Sequence, residues 1–144
     1  MIFKYIGIND SLYEETVELR ENAFFKGMPN TIDLINDNFE LKGIHLVCLK
    51  KEEVIGTGRL NIENGISIIS QMAIKPNYQK EGIGAKILNE LVRYSKEKGI
   101  FEIKLSARET AIAFYEKFNF VAFGNKYPSK KTGIIHQQME LKIE

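Results

Sequence analysis

The chain has one cysteine, no tryptophan, three prolines and two histidines in 144 residues. A lone Cys48 excludes an internal disulfide framework and a Cys-based zinc site. Within the apolar run HLVCL it reads as a small buried hydrophobe. His45 and His136 stand far apart with no patterned carboxylate, so no metal is expected. No apolar run approaches the ~18 residues of a membrane span. MIFKYIGIND lacks a basic segment followed by an apolar one, so the expectation is a cytoplasmic protein with no membrane partner. An excess of one charge is missing too: 20 Lys and Arg face 19 Asp and Glu, a net +1. No overall field exists to hold nucleic acid, and any anion must be bound locally. Repeats, low-complexity tracts and Pro/Gly/Ser-rich linkers are absent as well.

What is present suits one α/β domain over residues 1–144, with 44% hydrophobic residues to fill a core. Residues 1 to 8 read as a strand. Asp10 or Ser11 is then placed to cap a helix, with Ser11 and Glu14 at capping-box spacing. Leu12, Val17, Leu19, Ala23 and Phe24 form its apolar face, which breaks at Gly27 and Pro29. A weaker helix is expected over Asp33 to Glu40. HLVCLK, VIGTGRLNI and ISIISQMAIK then form an antiparallel meander, turned at KKEE and ENG. AKILNELVRYSKEKG is a helix closed by Gly99, FEIKLSA a strand, ETAIAFYEKF a helix, and FVAFG and IIHQQMELKI two last strands. The predicted order is β-α-α-β-β-β-α-β-α-β-β, a mixed sheet with helices on both faces.

The cluster QKEGIG falls between a central strand and the best helix. The first amides of a helix lack intrahelical partners, and the helix dipole favours an anion there. Gly82 and Gly84 would let phosphate oxygens approach the backbone, with Lys80 and Lys86 nearby. A plain strand-to-helix turn would use the same glycines for geometry alone. Two familiar phosphate motifs fail on spacing. Gly84 is followed by Ala85 and Lys86 without the hydroxyl of a P-loop, and position 87, where the dinucleotide fingerprint needs glycine, is Ile.

Gln79, Gly82 and Gly84 do match [QR]-x-x-G-x-[GA], and with it the chain resembles the GNAT superfamily of acyl-CoA-dependent N-acetyltransferases. AIAFYEKFNF is similar to that family's A-x-x-x-Y-x-K-x-G-F segment. The order of elements agrees over about the whole chain. The resemblance implies acetyl-CoA as cosubstrate, its pantetheine arm bonded by the main chain of Met72, Ala73 and Ile74. It implies a pyrophosphate held by the amides of Gln79, Lys80, Glu81, Gly82, Ile83, Gly84 and Ala85. It also implies that Tyr115 lies near the cofactor sulfur and serves as proton donor to the thiolate; read without the resemblance, Tyr115 is a residue of an amphipathic helix beside Phe114.

The chain departs from the pattern at Asn119, where glycine is usual; Asn is the next best left-handed residue. At the start of the same helix stands Arg108, a cation opposing the dipole. Either Glu109 compensates it, or Arg108 faces the acceptor and pairs with a substrate carboxylate or phosphate, helped by Arg20. His136 in TGIIHQQMEL resembles the G-I/V-P-H of small members, including the glyphosate-acetylating subgroup, without the proline. It is the candidate general base, against the alternative of a structural histidine at a strand start. His45 reads as structural.

The function these readings imply is an acetyl-CoA-dependent N-acetyltransferase acting by direct attack of a small primary amine that bears an acidic group. The alternative is a non-catalytic acyl-CoA-binding sensor or scaffold. A homodimer is in keeping with the resemblance, though no stretch marks an interface.

Overall fold

The computed structural model describes residues 1–144. Its elements are β1 (Ile2–Ile6), α1 (Tyr13–Phe24), α2 (Thr31–Ile35), β2 (Ile44–Lys50), β3 (Glu53–Glu63), β4 (Ile66–Ile74), α3 (Ile83–Glu97), β5 (Glu102–Arg108), α4 (Ile112–Glu116), β6 (Val121–Pro128) and β7 (Ile135–Lys142). Single 3-10 turns at Pro76–Tyr78 and Glu109–Ala111 precede α3 and α4. This is the chain order that the hydrophobic patterning predicts. No helix is long and apolar enough to cross a membrane.

Seven strands form one sheet in the order β1-β2-β3-β4-β5-β7-β6, in which β4 and β5 are the parallel pair. Both meander turns hold two successive residues at positive φ, Lys51 and Glu52 in one, Asn64 and Gly65 in the other. That twist matches the flanking strands, which is why two-residue turns close these hairpins.

Alternation along β2 assigns the two faces. Leu46 and Cys48 point into the core under α3 with Ile83, Ile87, Leu88 and Leu91, while Val47 joins Leu19 under α1. Each such fully buried aliphatic side chain contributes roughly 1.5–3 kcal/mol. Covered on both faces, β3 is buried at every residue from Val54 to Asn61. A Cβ at Gly58 would lie 3.0 Å from both Ile87 Cγ2 and Leu91 Cδ1, so glycine there sets how closely α3 approaches the sheet. Cys48 is completely buried, and burial raises its thiol pKa.

Three local expectations are corrected. The first helix begins at Tyr13 and has no side-chain cap, because Asp10 Oδ1 accepts the Leu12 N–H at 2.9 Å and closes a separate turn. The second helix covers Thr31–Ile35 instead of Asp33 to Glu40. Beyond it, Asp37 Oδ1 accepts the Phe39 N–H at 3.0 Å, a turn that competes with helix. The expected helix ETAIAFYEKF opens as a 3-10 turn, and its α-helical part is five residues long. The helix ends at Glu116, and the turn that follows closes at Asn119, which takes φ +71° in the role usually given to glycine.

Candidate active site

β4 and β5 pair only through Ser67–Ile103, Ile68–Lys104 and Ile69–Leu105. Past that point β4 continues to Ile74 bonded to β3 alone, and β5 continues to Arg108 bonded to β7 alone. The two strands therefore splay. Their parting coincides with a bulge, where the β3–β4 register shifts between Thr57 and Arg59 and Gln71 takes φ +51°. Ser70 and Gln71 both turn toward α1, so that Met72 returns to the α3 face, its Cγ lying 3.3 Å from a Cβ built at Gly58.

The splayed end of β4 leads into the loop before α3. Gln79 Nε2 donates to Ile74 O at 3.1 Å and closes that loop on the strand. Lys80 at φ +67° and Gly82 at φ +80° then turn the backbone, and Gly82 caps the helix without a side-chain bond. The helical ladder starts only at Lys86, whose N–H reaches Gly82 O at 3.2 Å. The amides of Lys80, Glu81, Gly82, Ile83, Gly84 and Ala85 have no partner in the chain. Six successive free donors at the positive end of a fifteen-residue helix are an arrangement that can accept an anion. The space over Gly84 is open as well, since its Cβ would meet only Phe114, at 3.6 Å.

Phe114, which lies over Gly84, links this turn to β4, because the next residue, Tyr115, reaches back to that strand. Its hydroxyl donates to Met72 Sδ at 3.7 Å. Burial pushes the phenol up to about 12.

Beside Tyr115 lies a cavity of about 600 Å³, lined by the splayed strands, the C-terminal end of α1 and the β6–β7 loop. Arg108, His136 and Tyr127 stand in one row along its edge, because Arg108 pairs with His136 across β5 and β7, and Tyr127 pairs with His136 across β6 and β7. His136 Nδ1 lies 2.8 Å from Ile134 O, the contact of an N–H with a carbonyl, which leaves Nε2 with the free lone pair. Glu109 does not compensate Arg108. Its carboxylate binds Lys126 Nζ at 2.9 Å, and Arg108 reaches only Ala23 O at 3.5 Å with its guanidinium over the Phe24 ring.

Arg20 is not in the cavity wall, which corrects the expectation that it assists Arg108. It is completely buried and held by Glu40 through two bonds of 2.8 and 2.7 Å, with a third, of 2.8 Å, to Gln71 Oε1. The same Glu40 accepts from Arg59 Nη1 at 2.9 Å and from the Tyr13 hydroxyl. Arg59 also bonds Ser70 Oγ at 2.9 Å and both oxygens of Asp37, and Asp37 binds Lys131 at 2.7 Å. Burial alone would raise the Glu40 carboxyl, but the Arg20 and Tyr13 bonds and the Arg20 charge hold it at about 2. Asp37 is likewise held low by Arg59 and Lys131 against its burial. His45, buried beside Glu40, has its pKa lowered by desolvation, against the opposing Glu40 charge.

Sequence reasoning passes over Glu40, Arg59, Asp37 and Lys131 entirely. One signal was available: Arg59 interrupts VIGTGRLNI, a strand otherwise suited to full burial, and an arginine there requires buried carboxylates.

A family model described as the acetyltransferase (GNAT) family matches residues 9–120. The chain belongs to the GNAT acetyltransferase family. An uncharacterized acetyltransferase of Streptococcus pyogenes is 25% identical over 96 residues, 66% of this chain and 66% of that protein, so the match spans just under two thirds of the relative's length. The crystal structure of an acyl-CoA N-acyltransferase from Pseudomonas aeruginosa gives a TM-score of 0.82 at 18% identity, over 97% of this chain and 98% of that one. An aminoglycoside 6'-N-acetyltransferase complexed with coenzyme A gives 0.78 at 15%, over 100% and 98%. At these identities the solved structures speak for the GNAT fold.

Proposed function

We propose that this GNAT domain transfers acetyl from acetyl-CoA to the primary amine of a small metabolite that also bears an acidic group, by direct attack. The six unpartnered amides at the start of α3, opening onto the splayed edge of β4, carry this reading. Met72, Ala73 and Ile74 offer a strand edge to the amide groups of pantetheine, in the manner of an added strand. The amides from Lys80 to Ala85 suit a pyrophosphate, and Gln79 holds their loop to β4. Acetyl-CoA supplies an activated thioester there; its acetyl group ends as an amide on the acceptor nitrogen, and CoA leaves as a thiol.

An ammonium must lose a proton before its nitrogen attacks. With Nδ1–H donating to Ile134 O, His136 Nε2 is the acceptor for that proton. The Tyr115 hydroxyl gives up only a weak sulfur acceptor in order to meet the leaving sulfur. At about 12, against a thiolate near ~8.5, it acts as a hydrogen-bond donor while the C–S bond breaks instead of transferring its proton beforehand.

The charges of the cavity favour an acidic group on the acceptor. Its lining includes Arg59, Arg108, Lys130 and Lys131 against one carboxylate, Asp37, which Arg59 and Lys131 already hold. A polyamine or aminoglycoside would find no free carboxylate in that wall.

The test is acetyl-CoA-dependent thiol release over an amine panel, with wild type, Tyr115→Phe and His136→Ala. The proposal expects release with acid-bearing amines and a loss of rate in both variants. Stabilisation by CoA without release for any amine would instead make the domain an acyl-CoA sensor.

A further inference from the structure

We infer that the acceptor is an α-amino acid with an apolar, preferably aromatic, side chain, read by the row Arg108, His136 and Tyr127. The reaction in which it takes part rests on the acetyl-transfer reading; its recognition does not. Directly opposed residues on neighbouring strands hold their Cβ atoms about 4.5–5.5 Å apart. Arg108 and His136 are opposed in this way, as are His136 and Tyr127, and all three line the cavity.

Arg108 brings a planar fork of donors with no carboxylate partner in the chain. Stacked over Phe24, it is braced for bidentate contact with a carboxylate. The exposed Lys130 adds a second cation of the same wall. His136, one strand away, offers the free Nε2 lone pair to the amine as a hydrogen-bond acceptor, so carboxylate and amine have to lie a short distance apart on the ligand. An α-amino acid meets that demand. A lysine side chain or an ω-amino acid, with several carbons between the two groups, does not.

Another part of the wall is apolar. Phe24, Phe25, Leu105 and Tyr127 face the same space, and Tyr127 is fixed by a hydroxyl contact to Ser106. Glycine would leave the half-buried Phe24 and Tyr127 rings against water, whereas phenylalanine or leucine would cover them.

Calorimetric binding and thiol release are measured for L-phenylalanine, glycine, phenethylamine and spermidine, with and without CoA, on wild type, Arg108→Gln and Tyr127→Leu. L-phenylalanine should exceed glycine and phenethylamine by at least tenfold, and spermidine should not bind. Arg108→Gln should bring L-phenylalanine and phenethylamine within about twofold while CoA affinity stays unchanged. Tyr127→Leu should narrow the gap between L-phenylalanine and glycine. Equal use of phenethylamine and L-phenylalanine by wild type, or an intact preference in Arg108→Gln, overturns the assignment even if thiol is released. The expected binding order without any thiol release upholds the recognition and removes the acetyl transfer.

Discussion

Arg20 Nη1 donates to Gln71 Oε1 at 2.8 Å, joining a completely buried charge on α1 to the residue at which β4 bulges away from β5. Arg59 does the same for the preceding residue, Ser70, and both arginines share the Glu40 carboxylate. A non-glycine residue at φ +51° persists only when its surroundings over-determine it. Here a charge network supplies that constraint, and with it the opening between the strands.

Arg20→Met should therefore destabilise the fold by about 3–5 kcal/mol, the usual cost of stranding one partner of a buried pair. Urea unfolding measures it, and Arg20→Met/Glu40→Met should lose less than the sum of the single changes. Gln71→Met keeps the side-chain volume but removes the acceptor. It should cost about 1–3 kcal/mol and weaken CoA binding, because the bulge is no longer pinned.

Acid should undo this network over a defined range. Glu40 has a folded pKa of about 2, below its ordinary carboxylate value of 4.5, so it contributes stability that is complete above that value and is lost as pH falls toward 2. His45 is depressed by burial from its ordinary 6.5, so the unfolded chain binds its proton first and a further loss begins below 6.5. Thermal unfolding followed from pH 7 to pH 2.5 should show a falling Tm in both ranges. Glu40→Gln should have a lower Tm at pH 7 and a flatter profile below pH 4.5.

Tyr115→Phe should lower kcat by roughly 10²-fold with little change in the KM for acetyl-CoA, since the hydroxyl serves the departing sulfur and the ring still fills its place. Steady-state kinetics separate the two. A raised KM with unchanged kcat would make Tyr115 a packing residue.

The order of elements was readable because period-2 and period-3.6 patterns alternate cleanly, and because QKEGIG and AIAFYEKFNF lie in sequence where the fold brings them together, through Phe114 and Gly84. Arg108 and His136 were singled out from their segments, and register then placed them side by side. The network escaped notice for a physical reason. Asp37 and Glu40 sit in a polar stretch that resembles a solvated helix, and only the fold shows that they turn inward to meet Arg20 and Arg59. Arg20 misled in the opposite sense: a charge near the site suggested a ligand, and its ligands proved to be Glu40 and Gln71.

Whether CoA is held by main-chain amides is decided by calorimetric titration of CoA into wild type, Gly82→Val, Gly84→Val and Lys80→Ala, with Tm recorded for each. Gly84→Val is the cleanest variant, since its helical position strains nothing and its Cβ has only ordinary contact with Phe114. Valine at Gly82, where φ is +80°, adds backbone strain to the lost cradle. A Kd raised at least tenfold in both glycine variants and within about threefold of wild type in Lys80→Ala is the expected result. A loss concentrated in Lys80→Ala, with Gly84→Val binding like wild type, would mean that side-chain charge holds the phosphates and that the amide cradle does not.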